Sequence, residues 1–190
     1  MRYPDDHKDA VRGRIVAAAS RALRGLGLTG VGIPALMKRA GLTHGGFYRH
    51  FESRDELVAE ALRAAADETL PRIFGKAVGA ADPLAAVLDT YLSAPHRADA
   101  EHGCALAALG AEAPRQTPEV RRAFAEIARR FLSEMDTVVR RGAPQGELHD
   151  DALAITAAMI GGIVLARLVR DESLADRVLA ATRRLVRRAT

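Results

Sequence analysis

Apolar residues return at helical intervals along almost the whole of this chain, and no stretch reads as a credible strand. The first stripe is Val11, Ile15, Ala18, Ala19, Ala22 and Leu26, with Gly25 and Gly27 suited to end it. Trp is absent and aromatics are only 4%, so the core must come from Ala, Leu, Val and Ile. Abundant Ala and Arg with sparse Val, Ile and Thr favour helix. The expected fold is all-α, with about nine helices.

Punctuation along the chain sets the expected helices. A short run over residues 33–40 stops at Gly41, and another begins after Thr43, an acceptable N-cap, and ends near Phe51. Ser53 with Glu56 can cap a long stretch through Leu57, Leu62, Ala65 and Leu70 toward Phe74, which Pro71 should bend or interrupt. Asp82-Pro83 opens a helix through Leu84, Val87, Leu88 and Tyr91, and residues 93–102 read as a loop. Residues 104–113 form a short apolar helix. Thr117-Pro118-Glu119 opens a long one through Val120, Phe124, Ile127, Phe131, Met135 and Val138, which Gly142, Pro144 and Gly146 close. Ser173 with Asp176 starts the last helix, whose stripe Leu174, Val178, Ala181 and Leu185 is expected to face inward while Arg177, Arg184 and Arg188 face out.

Residues 152–169 are almost continuously apolar, broken by Thr156 and Arg167. A span of about 18 residues is at the short limit for crossing a bilayer and this one carries an arginine near its end, so a helix buried on several sides is expected. The N-terminus is polar and lacks the apolar core of a secretion signal, and Cys104 is the single cysteine, so a cytoplasmic chain without disulfides is expected.

Charge is uneven. The chain carries +4 in total, but residues 1–54 hold ten Lys or Arg against four acids, while the remainder is near balance. A local basic surplus suits a polyphosphate partner, since each neutralised phosphate releases counterions.

The residues at the centre of that basic third are the most informative. Two short helices separated by a glycine-containing turn are the helix-turn-helix pattern. Adjacent glycines, Gly45 and Gly46, sit in the first turn of its second helix, where each costs about 0.8–1 kcal/mol relative to alanine. Either another helix packs tightly there, or the backbone must approach a phosphate or base edge. Thr43, His44, Tyr48, Arg49, His50 and Arg54 supply donors, and Phe47 and Phe51 share the buried face. His44, then Arg49, are the candidates for base contact, and Thr43, Tyr48, His50 and Arg54 for phosphate.

These residues resemble a known family. Residues 14–19 (Arg-Ile-Val-Ala-Ala-Ala), Gly27, Ile33, Leu36, Ala40-Gly41-Leu42-Thr43, Gly45-Gly46-Phe47-Tyr48, His50-Phe51 and Arg54-Asp55-Glu56-Leu57 are similar to the N-terminal domain of the TetR/AcrR transcriptional repressors. A weaker similarity links residues 103–109, beginning Gly103-Cys104, to a branch with multidrug-binding and electrophile-sensing members. The resemblance implies a helix-turn-helix domain over residues 1–53 and a ligand-binding and dimerisation domain over residues 54–190. It also implies a homodimer joined through helices at about residues 150–170 and 173–188 on a palindromic double-stranded DNA operator, with the reading helices about 34 Å apart. A small-molecule effector would shift that spacing. One departure concerns the second helix, where Val31-Gly32-Ile33-Pro34 offers no side-chain cap.

Candidate effector contacts are Leu62, Leu88, Tyr91, Cys104, Phe124, Ile127, Phe131 and Met159, which would favour a mainly apolar molecule, although core packing explains the same residues. Cys104, beside His102 and Gly103, raises the alternative of an oxidant- or electrophile-sensing repressor. A small all-helical enzyme is the rival from another class, but no Glu-x-x-His pair, phosphate-binding glycine loop or nucleophile motif is found. His96, His102 and Cys104 lack recognised ligand spacing, so neither metal nor cofactor is expected.

Overall fold

The computed structural model describes residues 5–142 and 146–189, so Pro144, expected to help close the long helix, lies outside the described residues. Among them are nine α-helices and no strand: α1 (Asp5–Leu26), α2 (Ile33–Arg39), α3 (Arg54–Phe74), α4 (Pro83–Tyr91), α5 (Ala94–Ala98), α6 (Ala105–Leu109), α7 (Pro118–Arg140), α8 (Asp150–Leu168) and α9 (Glu172–Ala189). Three 3-10 segments, His44–Arg49, Gly75–Ala77 and Gly110–Arg115, interrupt them.

The long helix α3 is the axis of the molecule. It packs on α1 and on α7. Leu57, Leu62, Leu70 and Phe74 on α3 are buried, as are Val120, Phe124, Ile127, Phe131, Met135 and Val138 on α7, the stripe expected from periodicity. Each such side chain contributes about 1.5–3 kcal/mol of burial free energy.

Local signals account for most boundaries. Ser53 Oγ accepts from the Glu56 amide at 3.0 Å, Asp82 Oδ1 from the Ala85 amide at 3.0 Å, and His149 Nδ1 from the Asp151 amide at 3.2 Å. Pro71 does not break α3, because it stands in the last turn, where only the Asp67 carbonyl loses its donor.

Four expectations are corrected. The stretch taken as a loop after Tyr91 contains α5, nucleated by Ser93, whose hydroxyl accepts from the His96 amide, with Pro95 in its first turn. The short apolar helix is α only over Ala105–Leu109, then tightens to 3-10 where Pro114 removes a donor. Asp171, rather than Ser173, caps α9, its Oδ1 accepting from the Leu174 amide at 2.8 Å.

The fourth correction concerns the face that α9 buries. Ala175, Leu179 and Val186 are inside, while Leu174 and Leu185 are 41% and 64% exposed. Both lines of residues have helical spacing, so periodicity alone could not choose between them. The choice is made by α8: a Cβ built at Gly162 would lie 2.8 Å from Thr182 Oγ1, so the bare glycine lets α9 seat the Ala175 line against α8. Leu153, Leu165 and Leu168 of α8 are exposed as well, leaving an apolar outer surface on both helices.

Candidate nucleic-acid interface

The turn after α2 is closed by backbone alone. Gly41 N–H donates to the Lys38 carbonyl and Leu42 N–H to that of Met37, and Gly41 sits at φ +73°, a conformation that favours glycine. α2 starts at Gly32 with no side-chain cap, as the Val31-Gly32-Ile33-Pro34 sequence implied.

Beyond the turn, the second helix of the candidate helix-turn-helix is a 3-10 helix, not the α-helix its spacing suggested, and Thr43 occupies its N-cap position without a side-chain bond. Two glycines and no cap leave little local preference for the α form. What holds the segment is its inner face. Phe47 and Phe51 are buried with rings stacked 5.5 Å apart, and the Arg12 guanidinium lies 4.2 Å over Phe51. Arg12 also pairs with Glu60 and with Glu56 and donates to the His50 carbonyl. Glu60 foremost, with Glu56, holds Arg12 above its usual pKa against partial burial. Burial works to raise the Glu56 pKa, but the Arg12 and Glu52 bonds bring it below its usual value.

The outer face carries the expected residues. Thr43, His44, Gly45 and Arg49 are exposed, Tyr48 is 67% exposed, and Gly46 is half-buried. The His44 and Tyr48 rings meet edge-on at 6.5 Å. His50 is half-buried, and burial first, then the charges of Lys8, Arg12 and Arg49, push its pKa below the ordinary value. Arg54 is half-buried and donates from Nη2 to the Leu28 and Val31 carbonyls, so it braces the loop between α1 and α2.

Gly45 and Gly46 have no internal explanation. Neither lies at positive φ. A Cβ at Gly45 would meet nothing within 4 Å, and one at Gly46 would only touch Met37 Cε at 3.6 Å. Among the described residues, no neighbouring helix is packed tightly against them.

Sequence reasoning missed the groups that tie this face to the rest of the protein. The fully buried Arg24 side chain, on α1, donates to the Gly103 carbonyl at 2.9 Å and to Glu68 at 2.6 Å. The Leu28 amide donates to the Glu112 carboxylate. A basic residue in the last turn of a helix reads as a partner for the helix dipole, so nothing local marks Arg24 as internal.

The eight candidate effector residues, Leu62, Leu88, Tyr91, Cys104, Phe124, Ile127, Phe131 and Met159, are all at most 5% exposed and belong to one packed core, where Tyr91 meets Phe131 edge-on at 5.7 Å. Beside that core runs an open groove of about 840 Å³ between α6, α7 and α8, walled by residues such as Leu106, Leu132, Ile160 and Val164, with Arg167 also lining it.

Around Cys104 the polar groups are engaged locally. His96 Nδ1 lies 2.6 Å from the Tyr91 carbonyl, and Nε2 accepts from the Cys104 amide at 3.1 Å, which fixes the proton on Nδ1. Burial holds the His96 pKa down to about 4. His102 pairs instead with Asp99, 3.0 Å away. Cys104 itself is 3% exposed.

Comparison with known proteins agrees with this architecture. Residues 15–61 match the model of bacterial regulatory proteins of the tetR family, and residues 80–182 match that of a tetracyclin repressor-like C-terminal domain. An uncharacterised HTH-type transcriptional regulator of Mycobacterium tuberculosis is 29% identical over 182 residues, spanning 92% of this chain and 93% of its own. A TetR-family regulator from Cytophaga hutchinsonii superposes with a TM-score of 0.78 at 19% identity, covering 98% of this chain and 96% of that one. The reduced form of Escherichia coli NemR superposes with a TM-score of 0.72 at 22% identity, covering 91% and 95%. At these identities the solved structures establish the fold alone.

Proposed function

The chain belongs to the TetR family of transcriptional regulators, and we propose that it is a ligand-responsive repressor that binds a palindromic operator as a homodimer in the cytoplasm. As a member of that family it is a DNA-binding transcription factor and not an enzyme. Residues 1–53 are the reading head and residues 54–190 the effector-binding and dimerisation domain.

The observation that carries the reading is the bare backbone at exposed Gly45 and half-buried Gly46, which nothing among the described residues requires. On DNA, the missing side chains let the helix start approach the groove. His44 and Arg49 contact base edges; Thr43, Tyr48 and His50 contact phosphates; Arg54 supports the head from within. The exposed Leu153, Leu165, Leu168, Leu174 and Leu185 form the dimer surface, which joins α8 and α9 of one subunit to those of its partner.

Fluorescence anisotropy on the DNA upstream of the protein's own gene tests this. Sequence-selective binding that weakens steeply with salt and is lost in Tyr48→Ala and His44→Ala is the expected result; binding indifferent to sequence, or none, overturns it.

A second reading, a thiol sensor at Cys104, draws on the Arg167 guanidinium whose field reaches that thiol. Against it stands the burial of the sulfur. A Cys104→Ser variant that still responds to electrophiles removes this reading.

A further inference from the structure

Phe51, where the chain leaves the 3-10 segment His44–Arg49 on its way to α3, is gripped on every side by Arg12 of α1 and its partner Glu56. Before it, the His50 carbonyl accepts from Arg12 Nη1. After it, the Glu52 amide donates to Glu56 Oε2 at 2.6 Å, while Glu56 Oε1 accepts from Arg12 Nη2 at 2.6 Å. The guanidinium itself lies over the Phe51 ring, 4.2 Å from its centre. Arg12 also reaches Glu60, with Nε 3.2 Å from Oε2. Glu56 and Glu60 are four residues apart on α3, a spacing at which like charges repel, and the cation between them offsets that repulsion.

From this anchor a run of ring contacts leads outward. Phe51 stacks on Phe47 at 5.5 Å, Phe47 meets Tyr48 edge-on at 5.1 Å, and Tyr48 meets His44 edge-on at 6.5 Å. The two Phe side chains are buried, and His44 and Tyr48 are exposed. At its other end the segment is closed by backbone: Thr43 makes no side-chain cap bond, and Gly46 N–H donates to the Thr43 carbonyl. Gly45 and Gly46 leave that end conformationally free. The pose of Tyr48 and His44 is therefore set from the Phe51 end.

We propose that Arg12 is a positioning residue for DNA recognition: without touching DNA, it fixes the exit of the 3-10 segment and, through Phe51 and Phe47, the pose of Tyr48 and His44. The proposal rests on the reading of this segment as the DNA-contacting face and deepens it. The role requires a planar fork. Lysine keeps the charge, but its compact ammonium cannot stack on Phe51 while serving a carbonyl and two carboxylates in the guanidinium's geometry. Preorganisation of this kind acts on sequence-selective contacts, whereas non-specific attraction to phosphates follows charge and tolerates a loose face.

Two measurements on the full-length protein test it: backbone hydrogen exchange without DNA, and fluorescence anisotropy on the DNA upstream of its own gene against a random duplex of equal length. In Arg12→Gln, exchange should quicken over residues 44–52 and stay unchanged in α7 and α8. Preference for the upstream DNA should fall about tenfold or more, with affinity for the random duplex held within about a factor of two and its salt slope unchanged. Arg12→Lys should not restore the preference. Exchange that stays unchanged over residues 44–52 or quickens evenly along the chain, or equal loss on both duplexes, overturns the proposal. A shallower salt slope on both duplexes makes Arg12 a phosphate contact and also overturns it. Full rescue by lysine does the same, as does a loosened segment that still prefers the upstream DNA. Should Arg12→Gln not fold, Glu60→Gln, which releases one side of the guanidinium, decides the matter by the same pattern in smaller measure. A wild type without preference for the upstream DNA removes the regulatory reading and this proposal with it; a preference that the Arg12 variants keep removes this proposal alone.

Discussion

Replacing Gly45 with alanine should strengthen the fold and weaken DNA binding, a pair of opposite signs that few surface substitutions produce. The new methyl group meets no atom within 4 Å, and the backbone there is not at positive φ, so no strain is added. The gain comes from the unfolded chain, which loses conformational freedom, and amounts to about 0.4–1 kcal/mol. For a protein of this length that corresponds to a rise in Tm of about 1–4 °C. In the proposed complex with DNA the same carbon would stand where the backbone comes closest. Gly45→Ala should lower operator affinity measurably, and Gly45→Leu by at least about tenfold, equivalent to 1.4 kcal/mol. Thermal unfolding and fluorescence anisotropy on the same preparations give both numbers. If Gly45→Ala lowers Tm, an internal contact holds the glycine; if Gly45→Leu leaves affinity untouched, no partner approaches that backbone, and the placement of the reading face is wrong.

Arg24→Met should destabilise by about 3 kcal/mol in urea titration, because the Gly103 carbonyl and Glu68 lose a buried cationic donor. His96, with its pKa lowered to about 4 by burial, is neutral when folded and takes a proton near pH 6.5 when unfolded, so its contribution is complete above about pH 6.5 and lost as pH falls toward 4. Between pH 7.5 and 5 this removes about 2 kcal/mol of stability, and urea titrations of His96→Gln should show that much less pH dependence. Leu165→Glu combined with Leu185→Glu should give a monomer by light scattering with no operator binding; a dimer of unchanged affinity would place the subunit contact elsewhere.

The fold was legible in the sequence wherever a residue type dictates backbone on its own. Ser53, Asp82 and Pro118 marked helix starts because their chemistry acts within one turn. It was not legible where a neighbour decides. The face that α9 buries depends on the missing side chain of Gly162, a contact between helices that spacing does not encode. In the candidate interface the residue types were plain, since Gly45-Gly46 and the donors around them have no core pattern. Their supports were not. Arg54 looked like its exposed neighbours until its carbonyl partners were seen, and Arg24 gave no sign that it reaches Gly103, which is 79 residues away.

The unbroken course of α3 through Pro71 has a mechanical consequence. Its 21 residues make a rod about 31 Å long, with Ser53 and the candidate interface at one end and Phe74 in the buried core at the other. Pivoted at Phe74, a tilt of about 5° swings the far tip by about 3 Å, close to the rise of one base pair, about 3.4 Å. In the proposed repressor, an adjustment in the core too small to disturb its packing would thereby be geared up into a phase error along the double helix.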